Sequence, residues 1–479
     1  MSRVYEKIFK NKNSDDIALI DSELNSISYS ELYYSCINLA MILDKNKCSR
    51  MIILFTGNTV EFAIGLLASW MTDRTVILAE INSKVEDINF MLQYFESNTV
   101  ICSPLTKNYE VQSKNKIFPK QLKEEQPDWK KKPFANNLAL IIQTSGTTMK
   151  PKYVMLTHTG IVDQCVEIIK GYKKARTLLI VPITSIFGVC GLLLPNLYAG
   201  GSVSLYQGKF NISKVKRTVY NTKTTIIACT SSILELLTQI EEERYFNSVE
   251  YIVVAGEICN IRLLDNVKRT LKVKNVIQAY GLTETTGLVS GSCLDLEAPY
   301  ESVGKIIKNF QIRIKINGKI LDFNELGEIQ VKGKGVTCGY YKNDELNQRA
   351  FDDGWFKTGD IGCIDENGYL YIKGRIKNII IVGGKNVYAE EVEELIMRNK
   401  NVLSAYVYAE KSDISGEKVM ADIIFENGCS MTPAELFNYC KTVMKPYMIP
   451  KKFTIHNEYK VNISGKRSRS KCFKGSFQS

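Results

Sequence analysis

The sequence predicts an α/β protein: a large N-terminal domain of parallel-sheet αβ subdomains plus a small β-rich subdomain, followed by a small α+β C-terminal domain. Three observations lead to that prediction. From Met51 onward, short apolar runs alternate with segments of helical periodicity, the pattern of parallel strands joined by crossover helices. Beyond about Gly304 the segments shorten, alternate in polarity and are separated by Gly and Asn-Gly turns. After Gly374, extended and helical segments mix in a unit of about one hundred residues, enough for a core of its own.

The elements follow in order. Met51–Phe55, Thr75–Leu78 and Thr99–Cys102 read as strands, with helices over Thr59–Met71 and Glu86–Phe95 between them. Residues Ser103 to Pro133 are polar and lysine-rich, a connecting excursion with one short helix expected around Pro119–Glu125. Helices are predicted over Thr159–Gly171, Gly188–Leu197, Ile212–Asn221 and Ser231–Glu242, and strands over Thr177–Val181, Ser202–Tyr206 and Thr225–Ala228. Strand Tyr251–Ala255 runs into Gly256–Glu257, and strand Val276–Gln278 into Ala279–Glu284. The β-rich part has strands at Gln311–Ile316, Gly327–Lys332, Gly362–Ile364 and Tyr369–Lys373. The last unit has strands Ile379–Val382, Val402–Tyr408 and Val419–Ile424 and helices Glu390–Asn399 and Pro433–Lys441.

Length and composition narrow the class. A chain of 479 residues exceeds one ordinary core, so roughly two to four domains or subdomains are expected. Its 45% hydrophobic and 24% charged residues are those of a globular protein. The net charge of +11 comes from dispersed lysines, with a short cluster at Lys130–Lys132; it serves a solvated surface or attracts an acidic partner. No basic stripe interleaved with aromatics appears, so nucleic acid is not an expected partner. Thirteen scattered cysteines and two histidines disfavour a zinc site or a disulfide framework, and reduced thiols in the cytoplasm are expected. The N-terminus lacks a signal-peptide core. No apolar stretch is long enough for a membrane span, and Ile186–Leu197, broken by Pro195, reads as a core segment.

The most chemically loaded stretch is Gln143–Lys152, which follows the apolar run Leu138–Ile142 and should emerge at the C-terminal end of a buried strand. Its four hydroxyls (Thr144, Ser145, Thr147, Thr148), with Gly146 and the two lysines Lys150 and Lys152, suit a polyphosphate. An ordinary Ser/Thr turn has the same composition. It is not a Walker A loop. Three strands thus deliver glycine- or hydroxyl-bearing segments to one edge, as a shared ligand site requires.

In order, T-S-G-T-T-x-K-P-K (144–152), Y-G-L-T-E (280–284), G-W-F-K-T-G-D (354–360), G-R-I-K-N (374–378) and S-G-K (464–466) resemble the adenylate-forming superfamily of acyl-CoA synthetases, adenylation domains and luciferases. The resemblance covers the chain from about Ser28 to Lys466. It implies a large AMP-binding domain over 1–376, with the β-rich subdomain at about 304–374, and a small mobile domain over 377–479. It also implies ATP-dependent conversion of a carboxylic acid to acyl-AMP, then transfer to the thiol of CoA or of a phosphopantetheinyl carrier protein. A carboxylate facing a polyanion needs its repulsion offset, chiefly by positioning and electrostatics.

By the same resemblance, Thr144, Ser145, Gly146, Thr147, Thr148 and Lys152 hold the β- and γ-phosphates. Tyr280 and Gly281, with the backbone of Gly256–Glu257, approach adenine. Thr283 contacts the α-phosphate and Glu284 holds Mg²⁺, a hard cation that favours carboxylate and phosphate oxygens. Asp360 accepts from the ribose hydroxyls, Arg375 reaches the ribose, and Lys377–Asn378 forms the hinge. Lys466 is the catalytic lysine between carboxylate and α-phosphate, and Val382–Asn386 would face the thiol tunnel. The plainer readings are a core aromatic for Tyr280, a helix-start carboxylate for Glu284, a turn aspartate for Asp360, a tail lysine for Lys466 and a β-turn for Gly383–Gly384.

Met149 and Tyr153 stand where the family has glycines, which would stiffen the loop if either position needs positive φ. Ile183–Gly188 holds no acid to pair an α-ammonium, so an α-amino acid is disfavoured. Phe187, Gly188 and Leu282–Leu288 point instead to an aliphatic or aromatic acid. The alternatives are a non-catalytic adenylate-binding relative and an amino-acid-activating adenylation enzyme; light emission has no feature in its favour.

Overall fold

A computed structural model of the protein describes residues 3–11, 14–123, 135–144, 151–171, 174–240, 242–256, 259, 261–292, 296–412, 415–426 and 428–456. Strands Met51–Phe55, Thr75–Leu78, Thr99–Cys102 and Leu138–Thr144 pair in parallel. Being buried on both faces, they need near-continuous apolar runs rather than alternation. Ile52 and Leu54 face the large core shared with the next sheet, while Ile53 and Phe55 face a smaller core with Met91, Phe95 and Tyr153. Helix Val60–Met71 is buried at every residue but Glu61, and Trp70 Nε1 donates to the Ala139 carbonyl at 2.9 Å. A helix apolar all round belongs between layers.

The second sheet has nine strands, six of them a parallel block: Ile17–Ile20, Ser202–Leu205, Arg176–Leu179, Ile226–Cys229, Tyr251–Ala255 and Asn275–Leu282. An antiparallel sheet follows, in which Phe310–Ile316, Gly327–Gly333, Trp355–Ile364 and Leu370–Arg375 are neighbours in chain order. The final unit has its own core of Ile380, Val392, Ile396, Ala421 and Leu436 under a sheet of Ile379–Val382, Lys385–Tyr388, Val402–Ser412 and Gly416–Phe425. Among the described residues no helix is long and apolar enough to cross a membrane.

Four local expectations need correction. Residues 119–123 are not helical; the excursion instead contributes a strand, Asn115–Ile117, parallel to Thr99–Cys102, and residues 124–125 lie outside the described residues. Phe187–Leu193 is a π-helix that narrows into the α-helix Leu194–Tyr198 where Pro195 removes a donor from the ladder. Helix Ser231–Leu237 stops short of Glu242. Lys152–Thr157 and Lys452–Ile455 are strands the periodicity did not reveal.

Candidate active site

One cleft collects the C-terminal ends of the parallel strands of both sheets. Gly57–Asn58, Glu80–Asn82, Gln143–Thr144, Val181–Pro182, Gln207–Gly208, Thr230–Ser232, Ala255–Gly256 and Ala279–Glu284 all line it. Its volume of ≈ 3020 Å³ exceeds the roughly 300–1,000 Å³ of a single-ligand pocket, so more than one substrate can be accommodated.

The phosphate-loop candidate joins two antiparallel strands rather than a strand and a helix. Leu138–Thr144 pairs with Lys152–Thr157, with Thr144 opposite Lys152, and both of those residues line the cleft. Ser145, Gly146, Thr147, Thr148, Met149 and Lys150 lie outside the described residues. Tyr153 does not face the site. It is 4% exposed and packs its ring against Phe95 and Tyr94 at centroid distances of 4.9 and 5.6 Å, with a backbone outside the positive-φ region. The side chain at this position therefore stabilises the far face of the sheet without backbone strain.

A hydrogen-bonded polar group is built around Asp360. It lies directly opposite Arg375 on the neighbouring strand, and Arg375 Nε sits 2.6 Å from Oδ1. The Tyr280 hydroxyl donates to Oδ2 at 2.7 Å. Arg375 also donates to the Thr358 carbonyl at 3.1 Å, which fixes the guanidinium. Burial pushes the Asp360 carboxyl above the usual carboxylate range, while Arg375 and the Tyr280 hydrogen bond pull it back. Tyr280 and Gly281 belong to the strand Asn275–Leu282, not to a loop, because Gly287–Gly291 folds back and pairs with them. Gly281 allows that crossing: a Cβ there would lie 1.8 Å from the Gly287 carbonyl oxygen.

Thr283 and Glu284 follow in a tight 3₁₀ turn, and both line the cleft. Glu284 Oε1 accepts from the Tyr340 hydroxyl at 2.9 Å. Tyr340 was missed in the sequence, where no local pattern marks it. Among the described residues no group of three or more His, Cys, Asp or Glu could hold a metal by itself. A cation at Glu284 would thus be held by one carboxylate together with substrate phosphates and water, the donor set Mg²⁺ accepts.

Thr184, Ser185, Ile186, Phe187, Leu282 and Leu288 line the cleft, whereas Gly188 does not. A Cβ on Gly188 would sit 2.3 Å from the Pro182 carbonyl oxygen, so its smallness serves packing. Gly256 lines the cleft; Glu257 lies outside the described residues. Lys377 and Asn378 reach the cleft beside Glu390, which accepts from Asn378 Nδ2 at 2.5 Å. Gly383 and Gly384 do not line it. With φ of 57° and 77° they form the two-residue turn of the hairpin Ile379–Val382/Lys385–Tyr388, a conformation that by itself demands glycine. Lys466 lies outside the described residues.

Residues 7–341 match the family model described as AMP-binding enzyme, and residues 391–466 match that of the AMP-binding enzyme C-terminal domain. The chain belongs to the AMP-binding enzyme family. This AMP-binding enzyme is 33% identical over 342 residues to a 2-succinylbenzoate–CoA ligase of Bacillus licheniformis, covering 70% of each chain. It is 29% identical over 449 residues to the ligase of the same name from Bacillus velezensis, covering 91% of this chain and 90% of that one. Its fold superposes on the o-succinylbenzoate CoA synthetase of Bacillus subtilis solved with ATP and magnesium ion, with a TM-score of 0.82, 26% identity and 98% of each chain covered. The expected activity, acid activation through an adenylate followed by thioester formation, is that of this family, and the chain is an AMP-forming acid–thiol ligase of the acyl-CoA synthetase type.

Proposed function

We propose that this AMP-binding enzyme uses ATP and Mg²⁺ to activate an aliphatic or aromatic carboxylic acid, not an α-amino acid, and passes the acyl group to CoA. The observation that carries the nucleotide part is the doubly held Asp360. A carboxylate offers about four lone-pair sites; Tyr280 and Arg375 take two, which leaves about two for the vicinal hydroxyls of a ribose. The Tyr280 ring is then fixed as a platform for the base. Thr144, Lys152 and Thr283 line the part of the cleft where the phosphates would lie, and Ser145–Thr148 would complete that cradle.

In the first half-reaction a carboxylate oxygen attacks the α-phosphorus and the bond to pyrophosphate breaks. Glu284, together with phosphate oxygens, would hold Mg²⁺, which would supply charge neutralisation. Lys466 would bridge the attacking carboxylate and the α-phosphate, where charge is shared in the transition state. In the second half-reaction a thiolate attacks the acyl carbon and AMP leaves. We assign residues 1–376 to the large domain and 377–479 to a small domain that moves between the two steps about Lys377–Asn378.

Ile183 is buried, and the Ser185 hydroxyl is spent on the Pro182 carbonyl at 2.7 Å. The segment that would pair an α-ammonium therefore presents Thr184, the already engaged Ser185, Ile186 and Phe187 and no carboxylate, which disfavours an α-amino acid. The first acid to test is 2-succinylbenzoate, for which several relatives are named. The cytoplasm, with its reduced thiols, is the proposed location. An acidic acyl carrier protein is the alternative acceptor, favoured by the net charge of +11. Thioester yield measured by mass spectrometry with CoA and with a phosphopantetheinylated carrier decides between them. Acyl-CoA from free CoA supports the proposal; thioester on the carrier alone would replace it.

A further inference from the structure

Tyr340 links the two parts of the cleft that would handle phosphate and metal. Its hydroxyl donates to Glu284 Oε1, and the Lys152 ammonium lies 6.0 Å from the centre of its ring. The surrounding backbone is fastened to both neighbours. Thr337 N–H donates to the Glu284 carbonyl at 2.7 Å, Met155 N–H to the Gly339 carbonyl at 2.9 Å, and Tyr341 N–H to the Tyr153 carbonyl at 2.8 Å. The Asn347 amide holds Tyr340 from both sides, accepting from its N–H at 2.7 Å and donating to its carbonyl at 3.1 Å. Tyr340 is only 5% exposed. A phenylalanine would keep these backbone bonds and fill the same volume, so what the phenol adds is the hydroxyl bond to Glu284.

We infer that Tyr340 is a positioning residue for the divalent cation: its hydroxyl holds Glu284 in the orientation that meets a nucleotide-bound metal ion and ties that carboxylate to the phosphate hairpin. One Glu284 oxygen is engaged by Tyr340, which sets the rotamer of the carboxylate and leaves its other oxygen for the ion. A hydrogen bond donated to a metal ligand acts here by orienting it, and loss of such a partner costs roughly 10–100-fold in metal affinity.

The inference rests on the nucleotide site proposed above, and its test needs no turnover. ATP binding to the full chain is measured without acid while MgCl₂ is titrated, for wild type, Tyr340→Phe, Glu284→Gln and the double variant. Tyr340→Phe should raise the Mg²⁺ needed for half-saturation by roughly 10–100-fold, keep wild-type ATP affinity at saturating Mg²⁺, and add nothing once Glu284 is Gln. Equal Mg²⁺ requirements in wild type and Tyr340→Phe, or an unchanged Tyr340→Phe effect in the Glu284→Gln background, would overturn it. If Tyr340→Phe does not fold, Asn347→Ser decides: freeing the Tyr340 backbone should shift the requirement the same way, and no shift refutes the inference. A wild type that shows the Mg²⁺ dependence yet activates no acid would defeat the ligase reading and leave this inference standing.

Discussion

The Tyr280 hydroxyl and the Asp360 carboxylate, 80 positions apart in sequence, meet at 2.7 Å across the junction of the nine-stranded sheet and the β-rich subdomain. That bond holds an aromatic face and an acceptor in fixed relation, which is what recognition of an adenosine requires. The ring and the carboxylate can therefore be tested separately.

Tyr280→Phe keeps the ring and removes the bond. A hydrogen bond to a charged group contributes about 1.5–3 kcal/mol, so ATP affinity measured by calorimetry should fall by roughly 10–100-fold. Tyr280→Ala, which also removes the platform, should lose more. Wild-type affinity in Tyr280→Phe would show that the bond is incidental.

His158 sets an acid limit on stability. Arg3 Nη1 lies 2.8 Å from His158 Nε2 and has no acceptor to offer, so Nε2 must be unprotonated and the ring neutral. Burial first, then the Arg3 charge, lowers the pKa from 6.5 to about 3. The folded value is depressed, so the stabilisation is complete above the unfolded pKa and is lost as pH falls from about 6.5 towards about 3. Followed through that window, the loss is on the order of 5 kcal/mol. Chemical denaturation of His158→Gln should show a shallower acid-side decline than wild type; parallel declines would place the charged ring elsewhere.

Restoring the family's glycine at Tyr153 should harm the fold without helping the nucleotide. The ring fills an aromatic cluster with Tyr94, Phe95 and Tyr341, behind the sheet. Emptying it should cost about 3–5 kcal/mol, as removal of a buried aromatic does, and ATP affinity should not improve. Tighter ATP binding in a stable Tyr153→Gly protein would contradict this placement.

Much of this could be read from the chain because buried parallel strands such as Met51–Phe55 and Thr75–Leu78 advertise themselves as apolar runs. Asp360, Arg375, Tyr280 and Glu284 were legible through motif order, but their mutual contacts were not. Those contacts depend on strand register: Asp360 faces Arg375 only through the pairing of Trp355–Ile364 with Leu370–Arg375. Lys152–Thr157 was obscured because it begins in a polar, proline-containing loop and pairs with a strand on its other side. Tyr340 had no local signal of function, since its role comes from a hydroxyl reaching a residue 56 positions away. Gly383–Gly384 shows how one pattern serves two readings, since the hairpin turn alone accounts for both positive φ values.

Joining a carboxylic acid to AMP is the step on which every assignment in this cleft depends. Acid-dependent exchange of labelled pyrophosphate into ATP, run over a panel of aliphatic and aromatic acids with 2-succinylbenzoate included, measures that step alone. Exchange is expected with at least one such acid and with no α-amino acid, and Lys466→Ala and Asp360→Ala should abolish it. A protein that binds ATP but exchanges pyrophosphate with no acid, or only with α-amino acids, would contradict these assignments.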